Sequence, residues 1–180
     1  MNDARAQVDV DPIAAAQRDD GSLGTAELRL AYESGPEAVR SSVRGLSIAQ
    51  LRARPVAGRW SILEVLCHLA DSEQFFAERM KRTIALERPL LLGVDAPRYP
   101  EPLRYQDRDP EEEVALITLT RSQMARVLGS LGEEAWGRTA VHSETGLVTL
   151  RQLVLHAINH VGHHLSFVGE KKRALGLPES

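Results

Sequence analysis

The sequence is poor in cysteine and has no long apolar run. Its only cysteine is Cys67, and a single thiol cannot form a disulfide within the chain. This cysteine usage is typical of a reducing compartment, so we expect a cytoplasmic protein. No stretch approaches the roughly 20 consecutive apolar residues that span a bilayer. Because the first residues also lack the apolar core of a secretory signal, we expect neither a membrane segment nor an exported chain.

Aromatic residues are scarce, and neither sign of charge dominates. Aromatic side chains make up 4% of the 180 residues, and the net charge is −3. A weakly acidic chain offers no basic surface for nucleic acid or an anionic membrane, so we expect neither partner. Hydrophobic residues make up 43% and charged residues 26%, close to the average of soluble globular proteins. Length and composition thus predict one domain with its own core.

The chain divides into an N-terminal tail and a folded domain. Residues 1–22 are polar, small and acidic without sustained periodicity. They predict a mobile tail, in which a short helix around Ile13–Arg18 is compatible with the sequence. We assign the folded domain to residues 23–180.

Four long amphipathic segments follow the tail. The second has the clearest start, since Ser61 can cap it while Glu64 reaches back to form a capping box. Thr149 caps the fourth in the same way, and Asp109 caps the third. The expected helices run from about Thr25 to Arg44, Ile62 to Glu87, Pro110 to Gly129 and Leu150 to Ala174.

Glycine and proline residues mark the points where we expect helices to break or to be connected by loops. Gly35-Pro36 predicts a break or kink in the first long helix, because proline removes a backbone donor and clashes with the preceding turn. Residues 88–108 hold four prolines, which predicts a long crossover loop between the second and third long helices. Short helical turns are expected at Ile48–Arg52 and Glu133–Gly137, and a hairpin around Ser143–Gly146. Without another convincing strand pair, the fold class is all-α, an antiparallel four-helix bundle.

A helical wheel separates the four histidines of the fourth long helix. With about 100° per residue, its leucines and valines mark a core face at roughly 20° to 140° from His160. His164 falls inside this arc at about 40° and His160 at its edge, so two imidazoles one turn apart can converge on one ion. His156 and His163 fall outside the arc, at about −40° and −60°.

On the second long helix, His68 lies at the border of the apolar face. Glu64 and Asp71 flank it on the polar side, where a carboxylate could orient the imidazole through its second nitrogen; exposed carboxylates without this role are the alternative. Cys67 falls near −100°, away from the apolar face, so we do not count it as a ligand. His142, in the loop before the fourth long helix, could approach the mouth of the site or be a solvated loop histidine.

The three histidines on core faces predict a metal site. A lone histidine on an apolar face is usually a structural residue, which is the alternative for each. The pair at i and i+4, with a third histidine on another core face, favours His68, His160 and His164 as ligands. Three imidazoles suit one divalent transition metal, zinc or nickel first, with iron, manganese or copper as alternatives. The Glu-x-x-His repeat of di-iron bundles and the HExxH of zincins are absent.

Two segments resemble the signatures of a known superfamily. GRWSILEVLCHLADSEQFF, with Arg79 a turn further on, resembles the second-helix signature of the DinB/YfiT-like superfamily, and NHVGHHLSF resembles its fourth-helix signature. The superfamily is unrelated to the translesion polymerase that shares part of its name. The resemblance covers about residues 25–175. It implies a four-helix bundle with three histidine ligands, which fall on His68, His160 and His164.

The resemblance also implies a function. Members with an assigned activity are mainly metal-dependent transferases or isomerases that use a low-molecular-weight thiol such as bacillithiol or mycothiol. We therefore expect a transferase that conjugates a bacillithiol-like thiol to a small electrophile in stress or detoxification. The nucleophile would be a metal-bound thiolate, and no residue of the chain is assigned as catalytic. The alternatives are a metal-dependent hydrolase that uses metal-bound water and a metal-binding stress protein without turnover.

Apolar strips on two helices predict self-association. Leu155 and Ile158 lie opposite the histidine face of the fourth long helix, and Leu63 and Leu66 form a similar strip on the second. An isolated small bundle would leave these strips in water. We therefore expect a homodimer, which is also common in the family that the chain resembles.

Overall fold

The computed structural model describes residues 21–178. The predicted tail at residues 1–22, with the helix considered around Ile13–Arg18, lies almost wholly outside the described residues. Within these residues the chain forms five α-helices: α1 (Thr25–Val43), α2 (Ile48–Arg52), α3 (Ile62–Ala85), α4 (Pro110–Gly129) and α5 (Leu150–Ala174). The strands are β1 (Leu90–Leu91), β2 (Thr139–His142) and β3 (Gly146–Thr149). Single 3-10 turns occupy Ala96–Arg98, Tyr105–Asp107 and Glu133–Gly137.

The long helices α1, α3, α4 and α5 form the predicted four-helix bundle. Both α1 and α3 pack against α4 and α5, so α1 lies diagonally opposite α3. The contacts between α3 and α5 pair residues in opposite sequence order, since His68 lies against His164 and Phe76 lies against His156. These two helices are therefore antiparallel, and so are α1 and α4.

The long crossover follows from the direction of α4. Glu73 contacts Arg121, and Lys81 contacts Gln123, so α3 and α4 run parallel. The chain must therefore travel back along the bundle between them, and a helix of 24 residues is about 36 Å long. The predicted crossover is confirmed. It is tied down at one end by Tyr105, which is fully buried against α3.

A small three-stranded sheet corrects the expectation of no strand pair beyond a hairpin. The hairpin itself is confirmed, with β2 and β3 antiparallel and Val141 opposite Leu147. The added strand is β1 in the crossover, which pairs parallel to β2 with Leu90 opposite Val141. A pairing across some fifty residues leaves no local signal in the sequence, which is why it was missed.

The capping residues lie as predicted. Ser61 accepts from the Glu64 N–H while the Glu64 carboxylate accepts from the Ser61 N–H at 2.7 Å. Thr149 forms the same box with Gln152, and Asp109 accepts from the Glu111 N–H. Reciprocal bonds of this kind satisfy backbone donors that the first helical turn would otherwise leave free. They fix where α3, α4 and α5 begin.

Of the predicted break or kink at Gly35-Pro36, the break is wrong, because α1 continues through both residues. Pro36 has no N–H for the carbonyl of Tyr32 four residues earlier, and the Arg121 guanidinium donates to that carbonyl instead at 2.9 Å. Gly35 makes room for this contact, since a Cβ there would lie 2.1 Å from Arg121 Nη1. A donor from another helix thus replaces the lost helical bond.

The expectation that the apolar strip of α3 is exposed to water in a single bundle is wrong. Leu63 is 0% and Leu66 is 2% exposed, in a core cluster that also contains Leu51 of α2. The short helix α2 and its flanking loops cover this side of the bundle. Leu155 and Ile158 on α5 are half-buried against the other core cluster. The homodimer therefore loses this support and stays a prediction.

None of the helices within residues 21–178 has a stretch long and apolar enough to cross a membrane.

Candidate metal centre

Three histidine side chains converge between α3 and α5. His68 Nε2 lies 3.1 Å from His160 Nε2 and 3.1 Å from His164 Nε2. For comparison, two imidazole nitrogens bound to one tetrahedral zinc at 2.0–2.1 Å stand about 3.3 Å apart. Both distances from His68 Nε2 are therefore close to the spacing of ligands that share one ion. One ligand atom from each of the three histidines lies within 4.8 Å of the others, a cluster able to hold a metal.

The helices explain this convergence. His160 and His164 are one turn apart on α5, so their side chains project from one face. The antiparallel helix α3 presents His68 to the middle of that face, with its ring centroid 5.0 Å from His160 and 4.5 Å from His164. Two elements are enough to bring the three donors together.

Burial keeps the three rings neutral. The exposed fraction is 7% for His68 and His160 and 6% for His164. Burial lowers the pKa of His68 to about 4, against the opposing effect of the Asp71 carboxylate. It lowers the pKa of His164 to about 2 and holds that of His160 well below its usual value. Neutral imidazoles are the form that binds metal ions, so the rings need not lose a proton first.

Aromatic packing orients the rings. The ring of Trp60 lies 5.2 Å from that of His68, Phe76 lies 5.2 Å from His160, and Phe167 lies 5.6 Å from His164. The Nδ1 atoms of the three histidines are buried without a hydrogen-bond partner in the described part of the chain. Ring contacts, more than hydrogen bonds, therefore direct the Nε2 atoms inward, and the donor set fits a divalent transition metal.

Comparison with known proteins places the chain in a family. Residues 31–168 match the model of the DinB superfamily. The chain belongs to the DinB superfamily. It is 25% identical over 145 residues to the Bacillus subtilis protein named "Putative metal-dependent hydrolase YfiT", covering 80% of this chain and 82% of that one. An Oceanobacillus iheyensis relative with the same kind of name is 26% identical over 136 residues, 76% of this chain and 78% of that one.

Solved structures share the fold of this DinB-superfamily chain. YfiT from Bacillus subtilis, described as having an unusual four-helix bundle topology, superposes with a TM-score of 0.80 at 23% identity, covering 87% of this chain and 92% of that one. A mycothiol-dependent maleylpyruvate isomerase superposes with a TM-score of 0.67 at 14% identity, covering 83% of this chain and 62% of that one. At these identities the two likenesses establish the fold alone.

Glu64 and Asp71 do not hydrogen-bond to His68 in this DinB-superfamily structure. Glu64 is 2% exposed and accepts from Arg54 Nε at 2.9 Å, in addition to capping α3. Asp71 accepts from the Tyr105 hydroxyl at 2.6 Å and from Arg108 at 3.2 Å. Both carboxylates therefore have other partners, which a wheel of one helix cannot reveal.

The remaining histidines lie outside the converging cluster. His142 ends β2 and is 3% exposed, so the alternative of a solvated loop histidine is wrong. Its Nδ1 accepts from the Glu144 N–H at 3.3 Å. His163 is half-buried, and its ring lies 4.7 Å from that of Phe167. His156 is buried with its ring 4.8 Å from that of Phe76, which corrects its placement outside the core face. The large ring of Phe76 widens the covered face of α5 beyond the arc of aliphatic residues.

Cys67 lies away from the three histidines, as predicted. Its thiol is fully buried and donates to the Tyr105 carbonyl at 3.5 Å. Burial raises the pKa of Cys67 to about 12, so the thiolate is scarce at neutral pH. The side chain is a structural thiol of the core, poorly suited to act as a nucleophile.

Two buried cations near the site, Arg121 and Lys171, were not predicted from the sequence. Arg121 is 1% exposed and forms an ion pair with the fully buried carboxylate of Glu73. It also donates to the Ala157 carbonyl at 2.6 Å, three residues before His160. Lys171 on α5 is 0% exposed. In the sequence, the one sign of a buried Arg121 is its position four residues after Ile117 and three before Met124, which places it on the apolar face of α4.

Proposed function

We propose that this chain is a metal-dependent transferase that joins a low-molecular-weight thiol to a small electrophile. The observation that carries the proposal is the convergence of three buried, neutral Nε2 atoms on one point. His68, His160 and His164 would hold one divalent transition metal there, with zinc or nickel the first candidates. When bound, such a metal lowers the pKa of a thiol that ligates it, so that the thiol reacts as thiolate.

The residues of the chain would position the reactants. Burial keeps the three imidazoles unprotonated and available as donors. Three protein donors leave at least one position for an exogenous ligand. Trp60, Phe76 and Phe167 surround the histidines and limit the access of water to the ligand bonds.

The nucleophile must come from outside the chain. Cys67 is the only cysteine, and its thiol is buried with a pKa raised to about 12. A thiol cosubstrate would supply the sulfur: the thiol loses a proton, its sulfur bonds to the electrophilic carbon, and the leaving group departs with its electron pair. A bacillithiol-like compound fits this role, and the fold neighbour that uses mycothiol supports a thiol as the reactant class.

A hydrolase is the second candidate, because two of the relatives carry that name. The same centre would then activate water in place of a thiol, and the product would be a hydrolysed ester or amide. The two candidates share the histidines and differ in the nucleophile. They are separated by whether turnover requires an added thiol.

The test measures turnover of protein loaded with zinc or nickel. We expect consumption of monochlorobimane that depends on added bacillithiol or cysteine and is lost in His160→Ala. Turnover of a panel of esters and amides without thiol would overturn the transferase in favour of the hydrolase. Tight metal binding with no turnover of either kind would identify a metal-binding protein without catalytic activity.

A further inference from the structure

Lys171 is a fully buried cation beyond the histidines on α5. It follows His164 by seven residues, two helical turns, and so lies on the same side of the helix. Its side chain is 0% exposed. Lysine is almost never fully buried without a partner of opposite charge, because removing an ammonium from water is costly in free energy.

The contacts of Lys171 supply no such partner. Its Nζ donates to the Phe167 carbonyl at 3.3 Å and lies 5.5 Å from the centroid of the Phe167 ring. Within residues 21–178 no carboxylate comes within ion-pair distance of it. Glu64 and Glu170 influence its pKa from further away, and Glu64 is already paired with Arg54. An ammonium has three donors, so Lys171 retains capacity for an anion.

Lys171 and the candidate metal centre are separated by one aromatic ring. Phe167 lies 5.6 Å from the His164 ring on one side and 5.5 Å from the Lys171 ammonium on the other. A second cation, Arg59, lies near enough to contribute to the lowered pKa of Lys171, after the larger effect of burial. Arg59 precedes Trp60, whose ring packs on His68. Charges of both signs therefore act on Lys171 from a distance, since Glu170 and Glu64 oppose the effect of Arg59.

Compensation of the helix dipole does not account for Lys171. Cations near the end of a helix are favourable, but Lys172 and Arg173 already occupy the last turn of α5. Lys172 also donates to the Ser42 carbonyl at 3.4 Å, which links α5 to α1. Neither compensation of the dipole nor the link to α1 requires the Lys171 ammonium to be buried beside Phe167.

We propose that Lys171 binds a carboxylate of the small molecule whose other end reaches the histidine cluster. The seven residues from His164 to Lys171 correspond to a rise of about 10 Å, so the bound compound is a short acid. The inference deepens the proposed transferase and rests on it, because it names the class of thiol: one that carries a carboxylate. A carboxylate here would give the buried ammonium the partner that the chain does not supply.

The test compares two thiols of equal chain length, mercaptohexanoate and mercaptohexanol, on the cobalt-loaded full chain. Calorimetry gives the two dissociation constants, and the sulfur-to-cobalt absorption band reports thiolate ligation separately. We expect the acid to bind about tenfold more tightly than the alcohol, the effect of one charge-assisted hydrogen bond. The ratio of the two dissociation constants, alcohol over acid, should fall to about one in Lys171→Met and largely persist in Lys171→Arg.

Lys172→Met is the matched control, since it removes the adjacent buried ammonium and should leave the preference unchanged. Lys171→Gln replaces the methionine variant if that one fails to fold. Equal binding of the two thiols to the wild type, with the absorption band present, overturns the role of Lys171 and leaves the proposed function standing. A tenfold preference without the band supports Lys171 and contradicts thiolate ligation. No binding of either thiol contradicts both.

Discussion

His164 and His163 are adjacent on α5 yet differ in what they contact. The Nε2 of His164 lies 3.1 Å from that of His68, whereas the ring of His163 packs on Phe167 at the half-buried edge of the helix. We predict that His164→Ala lowers zinc affinity by more than about 100-fold, because it removes a ligand, whereas loss of a supporting group costs about 10–100-fold. His163→Ala should change zinc affinity less than about threefold. Competition with a chromophoric chelator measures both, and equal losses would show that the ligand assignment is wrong.

Cys67 provides a probe of the core next to His68. Its burial and raised pKa predict that the thiol of the folded protein reacts with a disulfide reagent at least about 100-fold more slowly than a free cysteine at pH 8. Unfolding in urea should restore the ordinary rate. The Cys67→Ala variant, which has no thiol, gives the background. Fast labelling of the folded wild type would contradict the placement of this side chain in the core.

The buried histidines make the metal-free protein sensitive to acid. In the folded chain the pKa of His68 is lowered from 6.5 to about 4, so the unfolded chain binds more protons between these pH values. The stabilising contribution is thus present above about pH 6.5 and is lost as the pH falls toward 4, at about 1.4 kcal/mol per pH unit for each such histidine.

Urea unfolding of the metal-free protein at several pH values between 7.5 and 5 tests this expectation. The free energy of unfolding should decrease steadily below about pH 6.5. In the His68→Gln variant this decrease should be shallower, because unfolding then takes up about one proton fewer. A free energy that is constant over this range would mean that the histidines are accessible to protons in the folded state.

At the scale of elements, one buried arginine joins all four long helices. Arg121 of α4 pairs with Glu73 of α3 and donates to the carbonyls of Tyr32 in α1 and Ala157 in α5. Its guanidinium also lies 4.5 Å from the centroid of the Tyr32 ring. A charge with partners on every helix fixes how the helices meet, including the register of α5, on which His160 and His164 depend.

Arg121→Met should destabilise the protein by about 3–5 kcal/mol, because it leaves the Glu73 carboxylate buried without its partner. Urea unfolding measures the loss. The double variant Arg121→Met/Glu73→Leu should recover part of it, since both charges are then absent. The exposed pair Arg29–Glu33 is the matched control, and Arg29→Met should cost less than about 1 kcal/mol. A loss below about 1 kcal/mol in Arg121→Met would contradict the central role of this ion pair.

The helices were readable from the sequence because their signals are local. The capping boxes at Ser61 and Thr149, and the i, i+4 spacing of His160 and His164, each need only a few consecutive residues. The parts that were missed join distant segments: β1 to β2, and Arg121 to Glu73 across 48 residues. The unbroken α1 belongs to the same class, because the donor that replaces the Pro36 N–H comes from α4.

The same reason explains the wrong placements on single helices. A wheel of α3 cannot show that α2 covers Leu63 and Leu66, or that Arg54 takes the carboxylate of Glu64. Likewise, a wheel of α5 cannot show that Phe76 of α3 buries His156. The wheels placed His68, His160 and His164 correctly because these residues lie where the core faces of α3 and α5 meet.

At the scale of the whole molecule, the homodimer stays a prediction. An apolar row crosses the outer face of the sheet, where Leu90 pairs with Val141 and Val141 with Leu147. Their exposed fractions are 53%, 39% and 62%. Exposed apolar surface of this kind is typical of an interface, and a second copy packing row against row would bury it.

Light scattering coupled to gel filtration tests this expectation. We expect about twice the protomer mass of 19.9 kDa for the wild type, and the protomer mass for Leu147→Lys, which places a charge in the row. Leu119→Lys is the matched control, since Leu119 is 69% exposed on α4 and lies outside the row. A wild type that elutes at the protomer mass would contradict the homodimer.

The metal content of the purified protein tests the central claim most directly. Elemental mass spectrometry of chain produced without a histidine tag should find about one divalent transition metal per chain, because three donors share one site. The His160→Ala variant, with its folding checked by circular dichroism, should contain almost none. A wild type that is free of metal and takes up neither zinc nor nickel would contradict the account, and the three histidines would then be structural residues of the core.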